Sequence, residues 1–133
     1  MLGQLRAADT FGRVTLDQLF QLGVERDNDL WLRGHAGTTD SRKGRAPLGR
    51  RYVLLNSEID KHVYDGGLIA LKLGPFVDTG AIADATGLFG SQRWLWDIGV
   101  QGKVRIFGRL SVLLSYGRDL RTAQNVFYAT ASR

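Results

Sequence analysis

Trp94-Leu95-Trp96-Asp97-Ile98-Gly99-Val100-Gln101-Gly102-Lys103-Val104-Arg105-Ile106 decides the fold class of this chain. Trp94, Trp96, Ile98, Val100, Val104 and Ile106 recur at every second position, with one gap at Gly102. Asp97, Gly99, Gln101, Lys103 and Arg105 lie between them, and Leu95 is the one apolar exception. Successive side chains of a strand point to opposite faces, so this alternation predicts a β-strand with one apolar and one polar face. Ordinary soluble strands run to about 5–6 residues, whereas a tilted membrane-crossing strand needs about 9–11. Two tryptophans at one end fit an aromatic girdle at a membrane interface.

Working outward, the same pattern recurs. Leu110, Val112, Leu114 and Tyr116 alternate with Ser111, Ser115, Gly117 and Asp119, and the short link Phe107-Gly108-Arg109 joins this stretch to the first as a hairpin. Residues 52–63 place Val53, Leu55, Ser57, Ile59, Lys61 and Val63 on one face and Asn56, Glu58, Asp60 and His62 on the other. Asp65-Gly66-Gly67 is a turn signal. Residues 68–82 put Leu71, Leu73, Val77 and Thr79 opposite Lys72, Gly74, Phe76, Asp78 and Gly80, with Pro75 predicting a bulge or kink. Residues 126–132 predict a weaker final strand and residues 13–22, led by Val14 and Leu16, an early one.

These elements predict one all-β domain over 1–133: a lead-in over 1–12, a strand over 13–22, a long inward-folding loop over 23–50, and the remaining strands over 51–132. The expected form is an antiparallel meander of about six strands from a transmembrane β-barrel, with helix content near zero. Tight links near 65–67 and 107–109 alternate with longer ones at 23–50, 84–92 and 120–125. That is the pattern of a barrel with turns at one rim and loops at the other.

Composition sets the outer limits. The 133 residues are 44% hydrophobic and 10% aromatic, which predicts an ordered chain. There is no cysteine, so disulfides and thiolate metal sites are ruled out. The first residues lack the apolar core of a signal peptide, and no apolar run is long enough for a transmembrane helix. The net charge is +5. Arg42, Lys43, Arg45, Arg50 and Arg51 crowd into one stretch. Of these, Arg42, Lys43 and Arg45 are candidates for contact with lipopolysaccharide or lipid phosphates. No aromatic stacking motif accompanies the charge, so nucleic acid is not an expected partner.

Three short stretches each set one charge in an apolar or glycine-rich context: Leu32-Arg33-Gly34-His35, Asn56-Ser57-Glu58 and Phe76-Val77-Asp78-Thr79-Gly80. Parity puts Glu58 and Asp78 on the same face of neighbouring strands. Two close carboxylates repel unless a cation intervenes, and a guanidinium can bridge both with forked hydrogen bonds. Arg33 is therefore expected to latch the long loop onto the inner wall. In water these would be three unrelated surface charges.

The motifs, in this order, resemble the BamA/TamA type of outer-membrane assembly and translocation barrel, also called bacterial surface antigen. The resemblance covers roughly residues 13–128. Leu16-Asp17-Gln18-Leu19-Phe20-Gln21-Leu22-Gly23 looks like the strand leading to that family's internal loop, and Arg33-Gly34 like the loop tip. Ser57-Glu58 and the Phe76 to Gly80 motif look like the wall that receives the arginine. The resemblance implies a latch of Arg33, Gly34, Glu58, Asp78 and Gly80. It also implies a place in the bacterial outer membrane, and insertion of barrel proteins or movement of polypeptides with no cofactor and no metal. The implied partners are outer-membrane lipid, client polypeptides, and the N-terminal barrel strands and POTRA domains that this chain lacks, as a fragment would. Two positions depart from the family: His35 replaces an aromatic, and the chain ends Ala129-Thr130-Ala131-Ser132-Arg133 instead of on an aromatic.

No Gly-x-Ser-x-Gly elbow, P-loop or cysteine nucleophile is present, so an enzyme is not expected. His35 and His62 lack a clear third ligand for a metal. The competing readings are a passive barrel anchor for a fused domain, and a small soluble β-barrel that binds a ligand or polyanion.

Overall fold

The computed structural model describes residues 1–10, 15, 18–43, 45–83 and 91–132, with 43 and 91–93 described through their backbone alone. Among these residues the chain is all-β and antiparallel, with almost no helix, and no helix is long and apolar enough to cross a membrane. The main strands are β1 (Leu2–Asp9), β6 (Arg51–Glu58), β7 (Lys61–Asp65), β8 (Ile69–Ala83), β9 (Ser91–Ile106), β10 (Leu110–Asp119) and β11 (Asn125–Ser132). They form one sheet in the order β1-β6-β8-β9-β10-β11, with β7 also pairing β8. The sheet is open, with β1 and β11 at its edges. Four two-residue strands stiffen the long loop: β2 (Phe20–Gln21) pairs with β5 (Leu48–Gly49), and β3 (Thr38–Thr39) with β4 (Arg42–Lys43).

The first strand differs from the sequence reading. It is Leu2–Asp9, inside the expected lead-in, and it pairs along its full length with Arg51–Glu58. Its small and mixed residues, Gly3, Gln4, Ala7 and Ala8, carry little apolar periodicity, and pairing with β6 holds them extended. The expected strand over 13–22 falls partly on residues 11–14 and 16–17, outside those described, and its described end forms only β2. Residues 84–90 of the expected long connection also lie outside the described residues.

The expected strand over 52–63 is two strands in one line. The register sets Glu58 opposite Phe76 and resumes with Lys61 opposite Leu73. Pro75 faces this interruption. Its carbonyl accepts from the Ile59 N–H at 3.1 Å, but it has no N–H to return, so the ladder lapses there. No bulge forms at Pro75 against β9, where pairing runs on through Val100. The shifts fall instead between His62 and Tyr64 and between Gly80 and Ile82.

The alternation in β9 is realised as read. Trp94, Trp96, Ile98 and Val100 are exposed on the convex face, while Leu95, Asp97 and Gln101 are buried on the concave one. Leu95, the exception to the pattern, joins a core made by the loop and the wall: Leu22, Leu30, Leu32, Tyr52, Leu54 and Ile82, with Ala8 and Phe20 packed at its rim. Phe20 meets Tyr52 edge to face at 4.8 Å. The loop thus folds onto the concave face and is held there chiefly by apolar burial.

Candidate functional site: an arginine latch inside the sheet

The loop builds its own platform before it reaches the wall. Asn28 Nδ2 donates to the carbonyls of Gln21 and Gly23, and its Oδ1 accepts from the Leu30 N–H. The His35 N–H donates to the Leu32 carbonyl at 3.0 Å, closing a turn with Arg33 and Gly34 at its tip. Leu30 and Leu32 anchor both sides of that turn in the core.

Arg33 is 3% exposed, and every arm of its guanidinium is engaged. Nε and Nη2 donate to the two oxygens of Asp78 at 2.7 and 2.6 Å, a forked pair. Nη1 donates to Glu58 Oε2 at 3.1 Å and to Gln101 Oε1 at 2.6 Å. The Arg33 N–H also donates to Asp78 Oδ2 at 3.1 Å. Below, the guanidinium carbon stacks over the Phe76 ring, 3.7 Å from its centre, a cation–π contact strengthened by exclusion of water.

A second layer holds the acceptors. Asn56 Nδ2 donates to Asp78 Oδ1 at 2.8 Å and to the Trp31 carbonyl at 2.7 Å, tying loop to wall. Gln101 Nε2 donates to Glu58 and Asp60, and Lys103 Nζ donates to the same two carboxylates at 2.6 and 2.7 Å. Glu58 therefore serves two cations, Arg33 and Lys103.

Two glycines make the approach possible. A Cβ on Gly117 would overlap the Arg33 carbonyl, and one on Gly34 would sit 2.6 Å from the Asp119 nitrogen and from Asp97 Cγ. The loop tip lies directly on the backbone of β10 and against the Asp97 side chain of β9, at a separation that any larger residue prevents.

A further clasp lies beside the latch. The Gly34 N–H donates to Asp97 Oδ2 at 2.6 Å, and His35 Nδ1 lies 3.1 Å from the same oxygen. His35 Nε2 lies 3.6 Å from Asp119 Oδ2. His35, Asp97 and Asp119 thus bring metal-ligating side-chain types within 4.8 Å of one another. Asp119 already accepts from the backbones of Arg121 and Thr122 and from the Thr122 hydroxyl. With Asp97 holding the Gly34 amide, the group works as a clasp on the loop tip. Asp97 Oδ1 is buried with no hydrogen-bond partner among the described residues.

The expected latch residues Arg33, Gly34, Glu58 and Asp78 come together. Gly80 lies further along β8, where a Cβ would press on the Val53 carbonyl at 2.7 Å, so it serves the packing of β6 on β8 instead of the arginine. Gln101, Lys103, His35, Asp97 and Asp119 were not foreseen as partners, and Asn56 and Phe76 stood in the quoted motifs without a role of their own. Parity put several of them on the inner face, but only the three-dimensional course of the loop says which it meets. Trp94 and Trp96 face outward, 55% and 49% exposed. Arg42 and Arg45 are exposed, and the Lys43 side chain lies outside the described atoms. Arg51 belongs to β6 and pairs with Asp9 at 2.7 Å. His62 stands apart from the His35 group.

No family model, curated protein or solved structure matches this chain.

Proposed function

We propose that this chain is part of a transmembrane β-barrel of the bacterial outer membrane, of the type that inserts barrel proteins or moves polypeptides across that membrane. The observation that carries the reading is the loop tip latched through Arg33 to Asp78, Glu58 and Gln101 on the concave wall, opposite a convex wall that is apolar. A soluble protein of this size hides its apolar strand faces. Here the convex face exposes Leu73, Val77, Ile98, Val100, Leu114, Tyr116 and Phe127. Trp94 and Trp96 flank this band at one rim, and Tyr64 and Phe107 at the other, as interfacial girdles do. From Trp94 to Ile106 the strand covers about 40 Å at about 3.3 Å per residue. A tilt of about 45° reduces that to about 28 Å, close to the hydrocarbon thickness of a bilayer.

In this reading the latch braces the wall and no bond chemistry occurs. The open edges β1 and β11 require strands from elsewhere to close the barrel, since unpaired backbone does not persist in lipid. An edge of this kind is also the part able to template an incoming client strand.

The test is refolding from denaturant with and without detergent or outer-membrane lipid, followed by circular dichroism and heat-modifiable gel migration. A β-spectrum that appears only with detergent or lipid supports the reading. A folded, soluble monomer in plain buffer overturns it.

A further inference from the structure

The concave wall carries a second polar region at the turn end, next to the latch and sharing Lys103 with it. Lys72 of β8 and Lys103 of β9 are direct cross-strand partners on the inner face, and Arg105 follows Lys103 two positions on. Like charges set opposite one another destabilise a sheet unless something neutralises them. Lys103 is neutralised by Glu58 and Asp60. Among the described residues, neither Lys72 nor Arg105 makes an ion pair or side-chain hydrogen bond. Beside this pair the carboxylates Glu58 and Asp60 are both held by Lys103, and Asp65 lies one strand beyond Ala70 from Arg105. Lys72 feels Asp60 only through space.

Lys72, Lys103 and Arg105 line a cavity of about 260 Å³ that also receives Ser111, Thr130 and Ser132 from β10 and β11. The register makes this a built arrangement: Arg105 faces Ser111, and Ser111 faces Ser132. Two uncommitted cations and three hydroxyls from four adjacent strands therefore surround one space. A lining with cations and no carboxylate, the forked Arg105 donors and the three hydroxyls match a tetrahedral oxyanion with several acceptor oxygens.

We infer that this cavity binds a phosphate group, carried either by a lipid headgroup or by a free phosphate, with Lys72 and Arg105 as the charged contacts. The inference does not require the membrane reading, because it rests on the lining of the cavity and the register of the wall. Binding should weaken as salt rises, since both cations are accessible to solvent.

The test is calorimetric titration of the full chain in detergent with inorganic phosphate, and separately with short-chain phosphatidic acid and short-chain phosphatidylcholine. Saturable binding that weakens roughly tenfold or more in the K72Q/R105Q double variant supports the site. The charge-preserving K72R/R105K variant should bind within a few-fold of the parent, which separates loss of the site from loss of the fold. Phosphatidic acid binding well above inorganic phosphate identifies a headgroup, and equal binding identifies free phosphate. No saturable binding to any of the three ligands, or unchanged binding in K72Q/R105Q, overturns the inference.

Discussion

Arg33 and Asp78 meet through two parallel hydrogen bonds of 2.7 and 2.6 Å, and Asp78 is completely shielded from solvent. They are 45 positions apart in the chain, one in the loop and the other in the sheet, so this pair fixes where the loop tip sits on the wall. A buried ion pair adds little net stability over an apolar substitute, but removing one partner leaves the other charge stranded. Arg33→Ala should therefore cost about 3–5 kcal/mol. Arg33→Lys keeps the charge and loses the fork, and should fall between parent and Ala. Denaturant unfolding in detergent checks both, and equal stability of the Ala variant and the parent would remove the latch from the account.

Gly117 and Gly34 set how closely the loop tip can approach. Gly117→Ala drives a methyl into the Arg33 carbonyl, and should lift the tip at a cost of about 1–3 kcal/mol. Limited proteolysis within residues 23–50 should speed up accordingly. Gly3→Ala, where a Cβ meets nothing within 4 Å, should leave the cleavage rate unchanged and so serves as the control.

His35 stands between two buried carboxylates, Asp97 and Asp119. His35→Ala removes the one side chain that bridges them and should cost about 1–3 kcal/mol, the usual penalty for orphaning a buried polar group. If unfolding of this variant matches the parent, the two aspartates are held sufficiently by Gly34, Arg121 and Thr122 alone.

Much of the sheet can be read in the sequence because its two faces meet different surroundings. The alternation in residues 94–106 survives intact, and the same parity puts Glu58 and Asp78 on one face of neighbouring strands, offset diagonally by two residues. The strand Leu2–Asp9 was missed because Gly3, Ala7 and Ala8 give no contrast between faces, and its conformation comes from pairing with residues far along the chain. Of the latch, Arg33, Glu58 and Asp78 were legible as isolated charges in apolar settings. Gln101 and Lys103 were not, since an inward polar residue on a long strand looks alike whether it meets water or an arginine. The His35 clasp depends on Asp97 and Asp119, two carboxylates on successive strands whose meeting with His35 follows from the turn at Leu32.

The convex wall allows a separate check. Val100 is 58% exposed near the middle of the longest strand. Val100→Arg should be nearly neutral in a soluble protein, but should cost about 2–4 kcal/mol at a bilayer midplane. Comparing refolding yields in lipid vesicles and in plain buffer distinguishes the two.

Tryptophan fluorescence offers an independent readout. The Trp31 ring packs against Tyr128 at 5.5 Å on the concave side, while Trp94 and Trp96 face out. In single-tryptophan variants, brominated lipid should quench Trp94 and Trp96 and spare Trp31. Equal quenching of all three would contradict the sidedness of the sheet.

Leu22, Leu30 and Leu32 are packed into the hollow of the sheet together with Arg33. The hollow of the sheet is thus filled by its own chain at the level of the latch. Under the proposed function, cargo would have to dislodge the loop, breaking every bond to Arg33, or pass along the sheet edges β1 and β11. The second route would leave the apolar packing and the buried ions undisturbed, and so would be the cheaper path by the whole stability of the plug.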